Sequence, residues 1–342
     1  MRVIPIVESS NEEGLRDMDD DARAAKEPNE RTVSAPQPLV SIGSWAFSFG
    51  TYESHPWSFE KFADFAAEAG YDGVEINGFR PHPHEEDYGQ VDAQRLRTQL
   101  ADKGLGISGY APDLRTTPPA EVPEEMYLAR IARIADFVSA AEIRTVRVDT
   151  ITPPNGPVAT DPSEARTRLV KTWRAAAHRL ADAGAKLVWE FEPGFWINRP
   201  TDIIAIVEDV DHPNFGLLFD TSHAHTLGRY GRRQGQDPEL LAGGAAEFAS
   251  LVAPWVRHLH LIDSDGSLHD EDTSVHLPFG QGELDFQEVL DGLGPVGAGL
   301  EWWTADYCFW PKTEFDALRG APELRAIRDT FLSRQESIQE HA

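Results

Sequence analysis

From Leu39 onward, short apolar runs alternate with longer amphipathic ones. The short runs predict buried strands over Val40–Phe47, Gly73–Asn77, Gly106–Tyr110, Thr145–Asp149, Leu187–Glu192, Phe215–Asp220, Val256–Ile262 and Ala298–Trp302. Between them, apolar residues recur at helical spacing. In Ser58–Ala69, for example, Phe59, Phe62, Phe65 and Ala66 share a face, and Gly70 ends the run. Further helices are expected over Asp92–Lys103, Glu124–Ala141, Pro162–Ala183, Thr201–Val210, Pro238–Val252, Asp285–Leu293 and Glu314–Phe331. Eight strands alternating with eight helices over roughly 300 residues predict an α/β protein, a (β/α)8 TIM barrel. A doubly wound open sheet fits less well, because no Gly-x-Gly-x-x-Gly follows the first strand. Residues 1–36 are polar and charged and predict a flexible N-terminal extension, leaving 37–342 as one barrel domain.

A parallel barrel presents its chemistry at the carboxyl ends of its strands. The fifth run ends Trp189-Glu190-Phe191-Glu192-Pro193, and the sixth ends at Asp220 with His223 three residues on. The seventh reads His258-Leu259-His260 and the eighth Leu300-Glu301-Trp302. Glu192, Asp220, His260 and Glu301 are therefore expected to meet around one point. Carboxylates gathered there repel one another unless a cation neutralises them. An oxygen and imidazole set without sulfur suits one divalent ion, with Mn2+ the first expectation and Mg2+, Co2+ and Zn2+ open. Each residue also has a plainer reading. Asp220 caps the next helix, Glu190 or Glu192 pairs with Arg147, one histidine of the seventh run is a core residue, and Glu301 is an ion-pair partner. Matched positions on several strands outweigh these readings taken singly. Glu190 and Glu192 share parity, and Glu192, beside the strand-ending Pro193, is assigned to the ion.

Charge and composition narrow the function classes. Against 57 Asp and Glu stand 31 Lys and Arg, a formal net charge of -26. Such a surface repels phosphate backbones and anionic lipid, so neither nucleic acid nor membrane is an expected partner. Cys308 is the sole cysteine, which excludes an intramolecular disulfide and a thiolate metal cluster. No apolar run approaches about 18 residues, and the first residues lack a signal-peptide pattern, so a cytoplasmic location is expected.

The strand-end motifs resemble the xylose-isomerase-like barrel superfamily. The resemblance covers about residues 39–335. It rests on Phe191-Glu192-Pro193, on Leu218-Phe219-Asp220-Thr221-Ser222-His223 and on His258-Leu259-His260-Leu261-Ile262-Asp263. It also rests on the stretch from His276-Leu277-Pro278 through Gly280-Gln281-Gly282 to Phe286, and on Leu300-Glu301. It implies Glu192, Asp220, His260 and Glu301 as metal ligands and His223 as a group that touches substrate oxygens. It further implies that the two glutamates exchange protons with a sugar. A metal-bound ketose loses the proton beside its ketone, and its return to the other face epimerises the carbon, while loss of a neighbouring group gives a lyase. His276 joins Glu192 and Glu301 as a candidate base. The related endonuclease IV is a poor match, because neither Ser108-Gly109-Tyr110 nor Arg147-Val148-Asp149 offers the histidines its zinc site requires.

Long connections follow the strands, and many of their residues are aromatic. Trp196 follows Glu192, Trp302 follows Glu301, and His82 and His84 sit in the Arg80–Glu86 loop. Together with His223 these are the expected substrate contacts. Val74–His84 and Trp189–Phe195 resemble the catalytic α subunits of bacterial C-glycoside deglycosidases. That resemblance implies cleavage of a 3-keto C-glycoside by elimination, an aryl glycoside as substrate, and a small β subunit in a hetero-oligomer. A ketose 3-epimerase, a sugar isomerase or an inosose-dehydratase-like lyase is the alternative, and a non-catalytic sugar-binding barrel the remote one.

Overall fold

The computed structural model describes residues 37–157, 161–270 and 272–340. The expected flexible extension, residues 1–36, lies outside the described residues. Several helices end in a left-handed residue, which lets the chain turn back into the next strand. Gly70, Gly104 and Gly184 take this role, with φ between 77° and 80°.

The strands are β1 (Leu39–Gly43), β2 (Gly73–Gly78), β3 (Gly106–Pro112), β4 (Thr145–Val148), β5 (Lys186–Glu190), β6 (Phe215–Asp220), β7 (Val256–Leu261) and β8 (Trp302–Ala305). They form a closed parallel barrel in sequence order, with β8 paired to β1. The helices are α1 (Phe59–Glu68), α2 (Gln90–Asp102), α3 (Glu124–Ala141), α4 (Pro162–Asp182), α5 (Pro200–Val210), α6 (Thr221–Tyr230), α7 (Gly244–Val252), α8 (Phe286–Leu293), α9 (Pro295–Ala298) and α10 (Thr313–Glu340). The expected (β/α)8 barrel is thus the observed one. No described helix is long and apolar enough to cross a membrane.

Strand parity sorts the side chains. Outward residues meet the helices. Trp189 packs on Trp173 of α4 at 5.1 Å between ring centroids, Phe219 on Phe248 of α7 at 6.1 Å, and Trp303 on Phe331 of α10 at 6.0 Å. Their sequence neighbours Glu190, Asp220 and Thr304 therefore turn into the bore, with Ser41, Glu75, His258 and His260, and all are buried.

The eighth strand corrects the sequence reading. Ala298–Trp302 was the expected strand, but Pro295–Ala298 is a helical turn and the strand begins at Trp302. Glu301 precedes the strand, is exposed, and stands at the amino end of the barrel beside Arg144, Lys186 and Arg257. It also shares the outward parity of Trp303. Trp302 faces inward at that same end, against Gly73 and Gly106, where a Cβ would stand 2.6 Å and 2.8 Å from its ring. Neither residue can reach the carboxyl-end mouth.

Candidate active site

The carboxyl ends of β5 through β8 bring Glu190, Asp220, His260 and Asp306 together, and all four are buried. Their candidate ligand atoms lie within 4.8 Å of one another. Asp306 directly follows β8 and occupies the place that the sequence reading gave to Glu301.

Each of the four has one atom tied to the scaffold and another turned to the common centre. Asp220 Oδ1 accepts the backbone N–H of His223 at 2.8 Å and caps α6, while Oδ2 has no hydrogen bond. The capping reading of Asp220 thus holds on Oδ1, and Oδ2 is the atom left for the site reading. Glu190 Oε2 meets Arg147 Nη1 at 2.5 Å, while Oε1 has no hydrogen bond. Asp306 Oδ1 accepts from Trp45 Nε1 at 2.6 Å and from the Cys308 N–H at 2.9 Å. His260 Nε2 faces Glu75, while Nδ1, without a hydrogen bond, lies 3.0 Å from Glu190 Oε1 and 3.3 Å from Asp306 Oδ2. Buried polar atoms left unpaired are costly. Orphaned atoms converging from separate strands, all oxygen or imidazole nitrogen, fit a hard or borderline divalent cation.

Glu192 lies two residues beyond the end of β5 and joins a different group, with Glu190 and His223. Thr273 Oγ1 donates to its Oε2 at 2.9 Å, and His223 Nε2 is 4.0 Å from the same oxygen. Burial, with Glu190 nearby, pushes its pKa up to about 8. Burial pushes Glu190 upward too, but Arg147 together with His260 and His223 holds its pKa below the ordinary carboxylate value. His223 is anchored through Nδ1 to Ser274 Oγ at 2.6 Å, and burial beside His276 pushes its pKa down to about 3. His276 lies beside His223, the rings tilted with centroids 5.1 Å apart, and places Nδ1 3.2 Å from Asp306 Oδ1. Burial alone would lower the pKa of His276, but Asp306 and Asp220 carry it up to about 9.

The loop bearing Thr273, Ser274 and His276 is fixed by Asp263. This carboxylate accepts the N–H groups of Gly280, Gly282 and Leu284 at 2.9, 2.9 and 3.1 Å. A Cβ on Gly282 would stand 2.3 Å from it, so only glycine fits this approach.

A cavity of about 390 Å³ opens above the cluster. Glu190, Glu192, His223, His276 and Asp306 form its base, and Trp45, Phe49, Phe79, Phe195 and Phe309 its walls. Phe49 stacks on Phe309 at 5.8 Å and meets Phe79 edge-on at 5.2 Å. Besides Trp302, three more expected substrate contacts do not line this cavity. His82 is buried, with Ser44 Oγ and the Trp57 carbonyl each 3.0 Å from its ring nitrogens. His84 is buried too, 2.9 Å from Arg130 Nη2. Trp196 packs against the core, and its neighbour Phe195 reaches the cavity. Loop histidines that look solvent-facing in sequence are here sealed under their loop.

A sequence profile of xylose isomerase-like TIM barrels matches residues 63–327. The chain belongs to that family. Among curated relatives, fructoselysine 3-epimerase of Shigella flexneri is 21% identical over 231 residues, covering 66% of this chain and 76% of that protein. An uncharacterized protein of Methanocaldococcus jannaschii, MJ1311, is 32% identical over 122 residues, so this chain spans only 35% of its length. A solved D-tagatose 3-epimerase-like protein superposes with a TM-score of 0.64 at 20% identity, covering 86% of this chain and 99% of that one. At that identity the likeness is one of fold.

Proposed function

We propose that the protein is a divalent-metal-dependent enzyme that epimerises or isomerises a sugar by moving the proton on the carbon beside a ketone. The observation that carries this reading is the set of orphaned atoms on Glu190, Asp220 and His260, completed by Asp306. Kinship with fructoselysine 3-epimerase supports the sugar as substrate. A divalent ion held there would act as a Lewis acid and make the C–H beside the ketone more acidic.

The chain's own residues supply the rest. Glu190 and Asp306 approach from separate strands and serve as the carboxylates that take and return the proton. Glu192, whose carboxyl pKa is raised by burial and by Glu190 nearby, serves as an acid toward a substrate oxygen. His223 stays neutral, so its Nε2 can exchange a hydrogen bond with a sugar hydroxyl. Arg147, between Glu190 and Asp149, offsets the negative charge of the wall.

The aromatic rim favours a second reading, in which the sugar bears an aryl group. The base then takes the C2 proton of a 3-keto C-glycoside. The C1–aryl bond breaks with its electron pair going to the aryl carbon, which takes up a proton as it leaves. A small β subunit would assist. One experiment separates the readings. Metal-depleted protein, with and without added Mn2+, is incubated with a ketose panel and with a 3-keto C-glucoside. Mn2+-dependent epimerisation supports the first reading and aglycone release the second. Full turnover in metal-free protein refutes the metal-dependent chemistry.

A further inference from the structure

Beneath the four-residue cluster lies a second polar layer that the proposed reaction does not use. Glu75 of β2, His258 of β7 and Thr304 of β8 meet there, all buried. Glu75 Oε2 is 2.7 Å from His258 Nε2 and 3.1 Å from His260 Nε2, and it accepts from Thr304 Oγ1 at 3.2 Å. The neighbouring strand makes room for it. The β2–β3 pairing slips between Val74 and Glu75, which sets Gly109 opposite the carboxylate. A Cβ at Gly109 would stand 3.1 Å from Glu75 Cδ.

A carboxylate so enclosed is stable only when donors reach it, and here all of them converge on Oε2, leaving Oε1 without a hydrogen bond. An ionised carboxylate only accepts hydrogen bonds, so the imidazole nitrogen facing it carries the proton. For His260 that nitrogen is Nε2. Its other nitrogen, Nδ1, is the one turned toward Glu190 Oε1 and Asp306 Oδ2. We propose that Glu75 is a positioning residue that fixes His260 as an Nδ1 metal ligand by holding the proton on Nε2. His258 and Thr304 hold Glu75 in turn. The inference rests on the reading that the cluster takes a divalent ion. Carboxylates placed behind ligating histidines orient the ring and raise its basicity.

The test uses the full chain. Metal-depleted wild type and Glu75→Gln are titrated with Zn2+ by calorimetry, and nitrogen NMR of labelled histidines is recorded on the Zn2+-loaded wild type. The expected result is His260 bound through Nδ1 with a proton on Nε2, and binding about ten- to a hundredfold weaker in Glu75→Gln. Equal affinity in the variant, or ligation through Nε2, overturns the role of Glu75 while leaving the metal site standing. A wild type that takes up no Zn2+ or Mn2+ overturns the site reading itself. If Glu75 served only the fold, Glu75→Gln would lower the melting temperature of the metal-free protein and leave the affinity unchanged. If the variant fails to fold, the wild-type spectrum alone decides.

Discussion

The two mouths of the barrel are built from the same strands and differ in what those strands leave unpaired. At the carboxyl end, Glu190, Asp220 and His260 each keep one buried atom without a hydrogen bond. At the amino end, the indole of Trp302 fills the space over Gly73 and Gly106, and Arg144, Lys186, Arg257 and Glu301 surround it. One end withholds bonds and the other seats an indole on two glycines. Strand β8 carries the contrast within itself, with Glu301 before it and Asp306 after it. An acid adjoining a barrel strand thus acquires chemistry from its end and its parity.

The sharpest way to break this contrast is a paired substitution. Asp306→Asn should lower kcat/KM for the sugar substrate on the order of a thousandfold, with loss of bound metal, while Glu301→Gln stays within about twofold. Equal losses in steady-state assays would erase the distinction between the ends. Next in size, Trp302→Ala should cost about 3 kcal/mol of stability in urea unfolding, with metal content and KM unchanged in the folded fraction. A change in metal content would mean that the floor and the site are coupled.

A third test concerns the framework beneath the rim. Burial pushes the pKa of His82 down to about 4, from an ordinary 6.5, against the effect of its bond to the Trp57 carbonyl. The unfolded chain takes up this proton near pH 6.5 and the folded chain only near pH 4, so stability falls as pH drops through that window. The contribution is about 3 kcal/mol. His82→Asn should flatten that part of the stability profile, measured as the difference in unfolding midpoint between wild type and variant across the window. An unchanged slope would show that His82 is not the group responsible. The smallest effect is expected at the rim. Phe49→Ala should raise KM about five- to tenfold with kcat preserved, for a loss of ~1–1.5 kcal/mol of ring contact. A fall in kcat instead would give the wall a part in the chemistry.

Much of this was legible in sequence, for a physical reason. Buried parallel strands are nearly continuous apolar runs, so a charged residue that closes one, such as Asp220, stands out. His260 stands out in the same way, inside an otherwise apolar run. The eighth strand was misread because apolar residues flank Glu301 on both sides, and Ala298-Gly299-Leu300 imitates a strand. The inward parity shared by Trp302, Thr304 and Asp306 is the signal that would have exposed the shift. Glu190 was passed over for Glu192 because Glu192 stands beside the strand-ending Pro193, whereas β5 ends at Glu190. The pairing of Glu190 with Arg147 occupies only one of its two oxygens. No local pattern marks Glu75 as a partner of His260, since they meet only when β2 and β7 face each other across the closed bore.

The indole of Trp302 also decides the traffic. With it over the floor, and with Glu75 and His258 filling the bore above, the cavity over Glu190 and Asp306 opens at the carboxyl-end mouth, beside the stacked rings of Phe49 and Phe309. Whatever enters there must back out the same way. A fresh molecule cannot push a spent one through, and water reaches the interior only past whatever already stands in the door.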